Sequence, residues 1–474
     1  MPLILGTNSI KDTGYDVANS CRFDDGSSDY LERTASSAGN RRTLTISYWL
    51  KRSNITTSNS QGVLNAGILT DGNNHSFCGF QFNTDTAIIQ TTTSNSNVMS
   101  LQTTALFRDV SAWYNFVWKV DTTQGTESNR VKLYVNGVEH SLTGTFPSQN
   151  QDTWFNYNNK HQVGTRFANY LNGYLTEMIL IDGQALDPTS FGEFDSDSPT
   201  IWKPIDVSGL TFGTNGFYLD FENASSLGAD VSGNSNNFTV NNLTTVDQST
   251  DTCTNNFATM NPLDNYYAGA TFSEGNLKFV HGNSAWNYNT ATFGLSSGKW
   301  YWEMKCVDAG SGGAGSQPTV GIANDPPTES GNYLGKDAYA WGYRAYQQNV
   351  VNNGSQVLGS LNTFTDNDII GVYMDLDNNK LYFSKNGTLE NSTGISLTAP
   401  ASTTTGFYFP AAGDNKDSAS STWEANFGSP SFSISSGNTD DNGYGNFEYS
   451  PNITGDSTAK KFYACNTKNL AEFG

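Results

Sequence analysis

The sequence predicts an all-β protein built as two β-sandwich domains, and three observations predict it. Apolar residues recur with period two along many short stretches, while helical periodicity is nearly absent. Hydrophobic residues make up only 36% of the chain but aromatic ones 13%, the balance of a thin core between two sheets filled by Phe, Tyr and Trp. The 474 residues exceed what one hydrophobic core usually serves, so two domains are expected.

The strands follow in order. In residues 44–51 (LTISYWLK), Leu44, Ile46, Tyr48 and Leu50 share one apolar face. Residues 113–120 (WYNFVWKV) and 131–135 (VKLYV) read the same way. The latter run into Asn136-Gly137, a type I′ hairpin signal because both turn residues accept positive φ. Residues 174–181 (YLTEMILI) are more continuously apolar, as in a central strand. One helical turn is expected at 187–191, with Asp187 as N-cap and Pro188 at the first position.

A second series begins near residue 277. It comprises 300–306 (WYWEMKC), 319–323 (TVGIA), 369–376 (IIGVYMDL), 381–387 (LYFSKNG, again ending in Asn-Gly), 407–410 (FYFP) and 423–427 (WEANF). The glycine-rich stretch from Ala309 to Ser316 reads as a mobile loop. These series give an N-terminal arm (1–20), a first sandwich (21–242), a polar connection (243–265), a second sandwich (266–432) and a tail (433–474). The tail's fold is not legible, and it is expected to pack along a neighbouring domain or subunit.

The formal net charge of −20 and a pI near 4.4 set the chain against nucleic-acid binding, since phosphates would meet a field of their own sign. Cys21, Cys78, Cys253, Cys306 and Cys465 form no C-x-x-C pair and are odd in number, so buried free thiols are expected rather than a zinc site or a disulfide framework. No signal peptide is visible, and no stretch of 18 apolar residues could span a bilayer, so synthesis and folding in a cytoplasm without membrane insertion are expected. The sequon Asn54-Ile55-Thr56 carries little weight without a secretory signal.

Two family resemblances emerge from these residues. The order FDDGSSDYL (23–31), LTISYWLKR, WYNFVW, KLYVNG and YLNGYL (170–175) resembles the laminin-G/pentraxin-like branch of the concanavalin-like fold. Residues 230–237 (DVSGNSNN), preceded by FYLDF (217–221), resemble the segment that usually opens such domains. A permuted sandwich, with 210–242 pairing near the N-terminal strand, would explain their late position. The second half, with GKWYWE (298–303), VGIA (320–323), IIGVYMDLDNNKLYFSKNG and FYFPAA, resembles a SPRY domain, itself a concanavalin-like sandwich. The resemblances imply two tandem concanavalin-like jelly-roll sandwiches.

The pairing of these domains, in a chain rich in Asn, Ser, Thr and Gly, resembles virion proteins of tailed marine bacteriophages. That implies a tail fibre or other surface appendage contacting other virion proteins and a host cell-surface glycan or protein, as a homo-oligomer with a trimer favoured. Capsid decoration is the alternative, and a polysaccharide hydrolase the minor one.

No catalytic residue, metal site or cofactor is assigned. Glu193-Phe194-Asp195-Ser196-Asp197 lacks the second Glu of a sandwich-glucanase pair and reads as a solvated loop. His75, His140, His161 and His281 fall in turn or loop contexts without a nucleophile elbow. Asp375 to Lys380 begins like a calcium loop but has Lys380 where glycine is needed, and reads as a hairpin turn. Laminin-G-like domains often carry Ca²⁺ at a sandwich rim, which singles out Asp24, Asp25 and Asp29 without assigning a site. Ligand contacts are expected on aromatic loops: Trp286 and Tyr288 in one cluster, and Tyr339, Trp341, Tyr343, Arg344 and Tyr346 in another. In the second, the alternation of Tyr339, Trp341 and Tyr343 also fits a strand facing the core, as do Trp49, Trp113, Trp118, Trp300 and Trp302 in their strands.

Overall fold

Period-two alternation becomes antiparallel sheet throughout the computed structural model, which describes residues 10–70, 72–281, 286–310, 317–414, 420–454 and 460–474. The chain divides into two compact units, Thr13–Thr254 and Asn255–Gly474, the second joined by the described residues up to Asp12.

The N-terminal unit stacks two eight-stranded sheets. The first runs Val138–His140, Val131–Val135, Tyr114–Asp121, Thr43–Arg52, Gly173–Asp182, Ser20–Phe23 and Gln248–Ser249, with Phe217–Leu219 also pairing with Gly173–Asp182. The second runs Leu142–Thr145, Ser96–Leu106, Thr86–Thr93, Asn74–Phe80, Gln61–Ile68, Lys160–Val163, Tyr30–Thr34 and Thr239–Asn241. Leu44, Ile46, Tyr48 and Leu50 all face the shared core, opposite Phe116, Trp118 and Val120. Asn136 and Gly137 have φ of 48° and 77° and close a two-residue hairpin between Val135 and Val138.

Gly173–Asp182 is buried on both faces. The chain from 186 to 218 lays Phe191, Val207 and Phe212 over Ile179 and Ile181, while Trp49, Trp113, Tyr174 and Trp202 form a second outer cluster. The turn at Pro188–Ser190 is a 3₁₀ turn, and Asp187 makes no capping bond because its carboxylate takes Lys119 Nζ at 2.6 Å. The pairing expected near the N-terminal strands is present: Thr239–Asn241 lies against Tyr30–Thr34.

The polar segment 243–265 is not a free connection. Its first half belongs to the N-terminal unit, where Gln248–Ser249 pairs with Ser20–Phe23 and buried Asp251 receives Lys51 Nζ at 2.7 Å and Trp113 Nε1 at 3.0 Å. Its second half opens the C-terminal unit, where Phe257, Ala258 and Met260 are core residues. Composition hid this, because the segment is held by buried polar bonds rather than by an apolar stripe.

The C-terminal unit packs a nine-stranded sheet on a six-stranded one. The first is centred on Thr422–Asn426, Lys299–Asp308, Ile369–Asp375 and Lys380–Lys385. The second runs Asn287–Thr290, Phe409–Asp414, Pro318–Ala323, Ala340–Arg344, Asn349–Asn352 and Ser355–Leu358. Asn386-Gly387 again closes a two-residue hairpin, with φ of 47° and 78°.

The tail is an integral third layer of this same unit. Phe447, Ile453, Phe462 and Ala464 pack on Tyr301, Tyr373 and Tyr382, and Tyr463–Ala464 runs parallel to Lys299–Asp308. The Glu303 carboxylate fastens it, accepting the Glu448 and Tyr449 amides at 3.0 and 2.7 Å, together with Asn426 Nδ2 and the Tyr301 hydroxyl. Of the expected glycine-rich loop from Ala309 to Ser316, residues 311–316 lie outside the described residues. Cys21, Cys78, Cys306 and Cys465 are buried free thiols, and Cys253 is half-buried.

Candidate binding site

The two aromatic clusters of the C-terminal unit separate once placed on their strands. Trp341 and Tyr343 point inward from Ala340–Arg344, Trp341 edge-on to Tyr408 at 5.7 Å and Tyr343 edge-on to Phe364 and Phe383 at 5.1 and 5.4 Å. Tyr339 is half-buried against the same core. Tyr288 is buried in a small cluster with Ala323, Leu334, Ala340 and Ala411, its hydroxyl on the Asp325 carbonyl at 3.1 Å. Tyr288, Trp341 and Tyr343 therefore present no ring to a ligand, which corrects their assignment as contacts: the two-residue period put them in the core.

Trp286 and Tyr346 remain outside, 41% and 51% exposed, while Arg344 is half-buried and gives Nε to Asn349 Oδ1 at 3.0 Å. Trp286 meets Tyr333 edge-on at 5.7 Å. Nearby Asn287 donates to the Tyr267 carbonyl at 2.7 Å, and Tyr266, at 89% exposure, stands against Tyr267. Tyr266, Tyr267 and Tyr333 were not singled out from the sequence, because isolated tyrosines in polar loops carry no periodic signal.

The better-formed site lies in the N-terminal unit. A cleft of about 450 Å³ is lined by Asp25 and Gly26, by residues 57–59 and Gln61, and by Ala168, Asn169 and Tyr170. One wall is the loop 53–60. Asp85 holds it, accepting the Thr56 amide at 2.8 Å while pairing with Arg52 and Arg108 at 3.0 and 2.9 Å. Burial raises the Asp85 carboxyl, but the Thr56 amide and the two guanidinium groups outweigh it and leave it below the usual range.

Asp25 lines the cleft while staying solvent-exposed, and its oxygens take Asn172 Nδ2 at 2.9 Å and Asn54 Nδ2 at 3.4 Å. Partial desolvation, helped by Asp24, raises its pKa. The far wall is the hairpin of Thr165–Arg166 and Asn169–Tyr170, where Tyr170 stands 6.0 Å from Tyr30. Gly62 lets the hairpin settle on its strand, since a Cβ there would lie 2.8 Å from both the Arg166 Cβ and the Thr165 carbonyl.

Amides, hydroxyls and one carboxylate converge here beside a tyrosine face, a set that meets the hydroxyls and the apolar face of a sugar ring. Asp24 and Asp29 serve their own turn, taking the Ser27 amide at 3.2 Å and the Asp24 amide at 3.0 Å. Among the described residues no group of three or more His, Cys, Asp or Glu is placed to hold a metal ion.

Residues read as catalytic decoys have structural partners. Lys203 bridges Glu193 and Asp195, each at 3.4 Å. Asp375 and Lys380 flank the hairpin turn between Ile369–Asp375 and Lys380–Lys385. His75, His140 and His161 lie in strands rather than in loops, and burial lowers His161 to about 4. Among the described residues no helix is long and apolar enough to cross a membrane.

Two family models match successive parts of the chain. Residues 25–189 match the model of the concanavalin A-like lectin/glucanases superfamily, and residues 299–428 that of the SPRY domain. The chain is similar to the ATP-dependent RNA helicase DDX1 of Xenopus laevis, 31% identical over 133 residues, which is 27% of this chain and only 16% of the helicase. Among solved structures it is similar to the SPRY domain of human HERC1 (24% identity, 35% of this chain and 96% of that one, TM-score 0.29). It is also similar to a heptameric SAP-like pentraxin from Limulus polyphemus (14% identity, 36% and 79%, TM-score 0.26). The chain is a tandem of two concanavalin-like jelly rolls, a laminin-G-like domain followed by a SPRY domain, both of the binding type.

Proposed function

We propose that the chain is a non-enzymatic adhesion protein of a virion, a tail fibre or fibre-associated component whose N-terminal sandwich binds a host surface glycan. The observation that carries the glycan reading is the polar cleft with Asp25, Asn59, Gln61 and Asn169 beside Tyr170. Support for the virion setting is the resemblance of the domain pairing and composition to phage appendages. The exposed Tyr266, Tyr267 and Trp286 suit a protein partner, either another virion protein or a host receptor.

A single shallow sugar site binds at about millimolar strength, roughly −4 kcal/mol. Three copies in a homotrimer would add about 10²–10⁴ in avidity, so weak sites suffice for an appendage.

A glycan array probed with the intact protein is expected to give selective binding, and Tyr170→Ala is expected to reduce it about tenfold without shifting thermal stability of the rest of the fold. Absence of binding to any glycan or to host cells would overturn the reading.

A further inference from the structure

Arg166 differs from every other described arginine. Arg22, Arg33, Arg41, Arg42, Arg52, Arg108, Arg130 and Arg344 each donate to at least one protein oxygen. The Arg166 guanidinium has no acceptor among the described residues, and its buried Nε has no partner. Its Cζ instead lies over aromatic rings, 4.0 Å from the centroid of Phe77 and 5.3 Å from that of Phe167, with His75 edge-on to Phe167 at 4.8 Å. In a chain with 45 acidic and 25 basic residues, a cation without a carboxylate among the described residues calls for an explanation.

Its mounting is specialised. The hairpin turn is Phe167-Ala168, with φ of 50° and 60°, where the type I′ geometry favours Asn-Gly. Backbone strain of this kind persists where the surroundings impose it, and it clusters at ligand sites. Phe167 and Ala168 also wall a second cleft of about 680 Å³, whose other side carries Lys160 and Gln162. On that face Asn65 stands directly opposite both Gln162 and Phe77, fully buried, with neither amide atom hydrogen-bonded.

We propose that Arg166 is a specificity residue for an anionic saccharide, its Nη groups taking a carboxylate or sulfate of a sugar bound beside the Phe167-Ala168 turn, at the margin of that cleft. A guanidinium preset by stacking offers a planar fork to a carboxylate at little ordering cost. This extends the glycan-binding reading to a second cleft and rests on it only for the ligand being a sugar.

The test is a titration of the full chain with glucuronate, glucose 6-sulfate and glucose, followed through the Arg166 Nε–H NMR signal and by calorimetry. A saturable shift with an anionic sugar, absent with glucose, is expected. Arg166→Gln should weaken that binding about tenfold or more, with Arg166→Lys only partly restoring it. Whichever of glucuronate and the sulfate ester binds more tightly identifies the group recognised. An unmoved Arg166 signal, or equal affinity for glucose and both anions, overturns the inference even if Arg166→Gln fails to fold. Anion binding at Arg166 in a protein that adheres to no host glycan would sink the adhesion reading and leave this one standing.

Discussion

Glu177 in the first sandwich and Glu303 in the second are both buried on central strands, and the two are treated in opposite ways. Glu303 is surrounded by donors: two backbone amides, an amide side chain and a tyrosine hydroxyl. Glu177 sits at a bulge in Gly173–Asp182 with φ of 50°, and both its oxygens lie 2.8 Å from the single hydroxyl of Tyr218. Burial raises both, Glu303 to about 7 and Glu177 to about 8, where Asp220 and Glu222 push further. The difference teaches that burial alone does not set a carboxyl's role. Glu303 is a clamp that works by accepting bonds, whereas Glu177 has one hydroxyl as its partner and burial favours its neutral form.

The largest effect that would break this comparison is removal of the clamp. Glu303→Ala removes an acceptor shared by four donors, two of them part-buried backbone amides, and is expected to cost about 4 kcal/mol. It should also release the tail, so limited proteolysis should trim the chain near residue 433 while the sandwich endures. Uniform resistance to protease would contradict the clamp.

A smaller effect separates the two acids by pH. A carboxyl whose folded pKa is raised favours folding in its protonated form, so that stability is present at low pH and lost as pH rises through the folded pKa. The Thr13–Thr254 unit should therefore lose stability between about pH 4.5 and 8, and the Asn255–Gly474 unit over the narrower window from about 4.5 to 7. Glu177→Gln should flatten that slope in thermal melts recorded across the range, and leave the melt near pH 5 almost unchanged.

The smallest effect concerns the strained hairpin, which sharpens the contrast with Asn136-Gly137 and Asn386-Gly387. Replacing Phe167-Ala168 by Asn-Gly relieves two unfavourable φ values but removes one face of the Arg166 stack, for a net gain of about 1 kcal/mol in chemical denaturation. Stabilisation accompanied by weaker anionic-sugar binding would fit strain maintained for recognition.

Much of this architecture was legible, because alternation such as Leu44, Ile46, Tyr48, Leu50 and the two Asn-Gly turns are local signals. The same rule correctly placed Trp118, Trp300 and Trp302 inside, and it also accounts for Trp341 and Tyr343, read as contacts but packed in the core. What stayed hidden depends on distant partners. Asp251 is fixed by Lys51, 200 residues away, inside a stretch with no periodicity. The cleft joins residues 25–26, 57–59, 61 and 168–170, none of which forms a motif alone. Phe167-Ala168 offers no turn signature, so the hairpin that separates the two clefts could be found only from its backbone.

The third layer on the SPRY sandwich also bears on how the chain is made. Tyr449 follows its acceptor Glu303 by 146 residues, which at a ribosomal pace takes roughly 7–30 seconds. Until the tail is made, the rings of Tyr301, Tyr373 and Tyr382 lack the cover of Phe447, Ile453 and Phe462, the kind of transiently bare apolar surface that favours aggregation. On crowded polysomes, several such half-clad sheets side by side would offer one another the same bare rings.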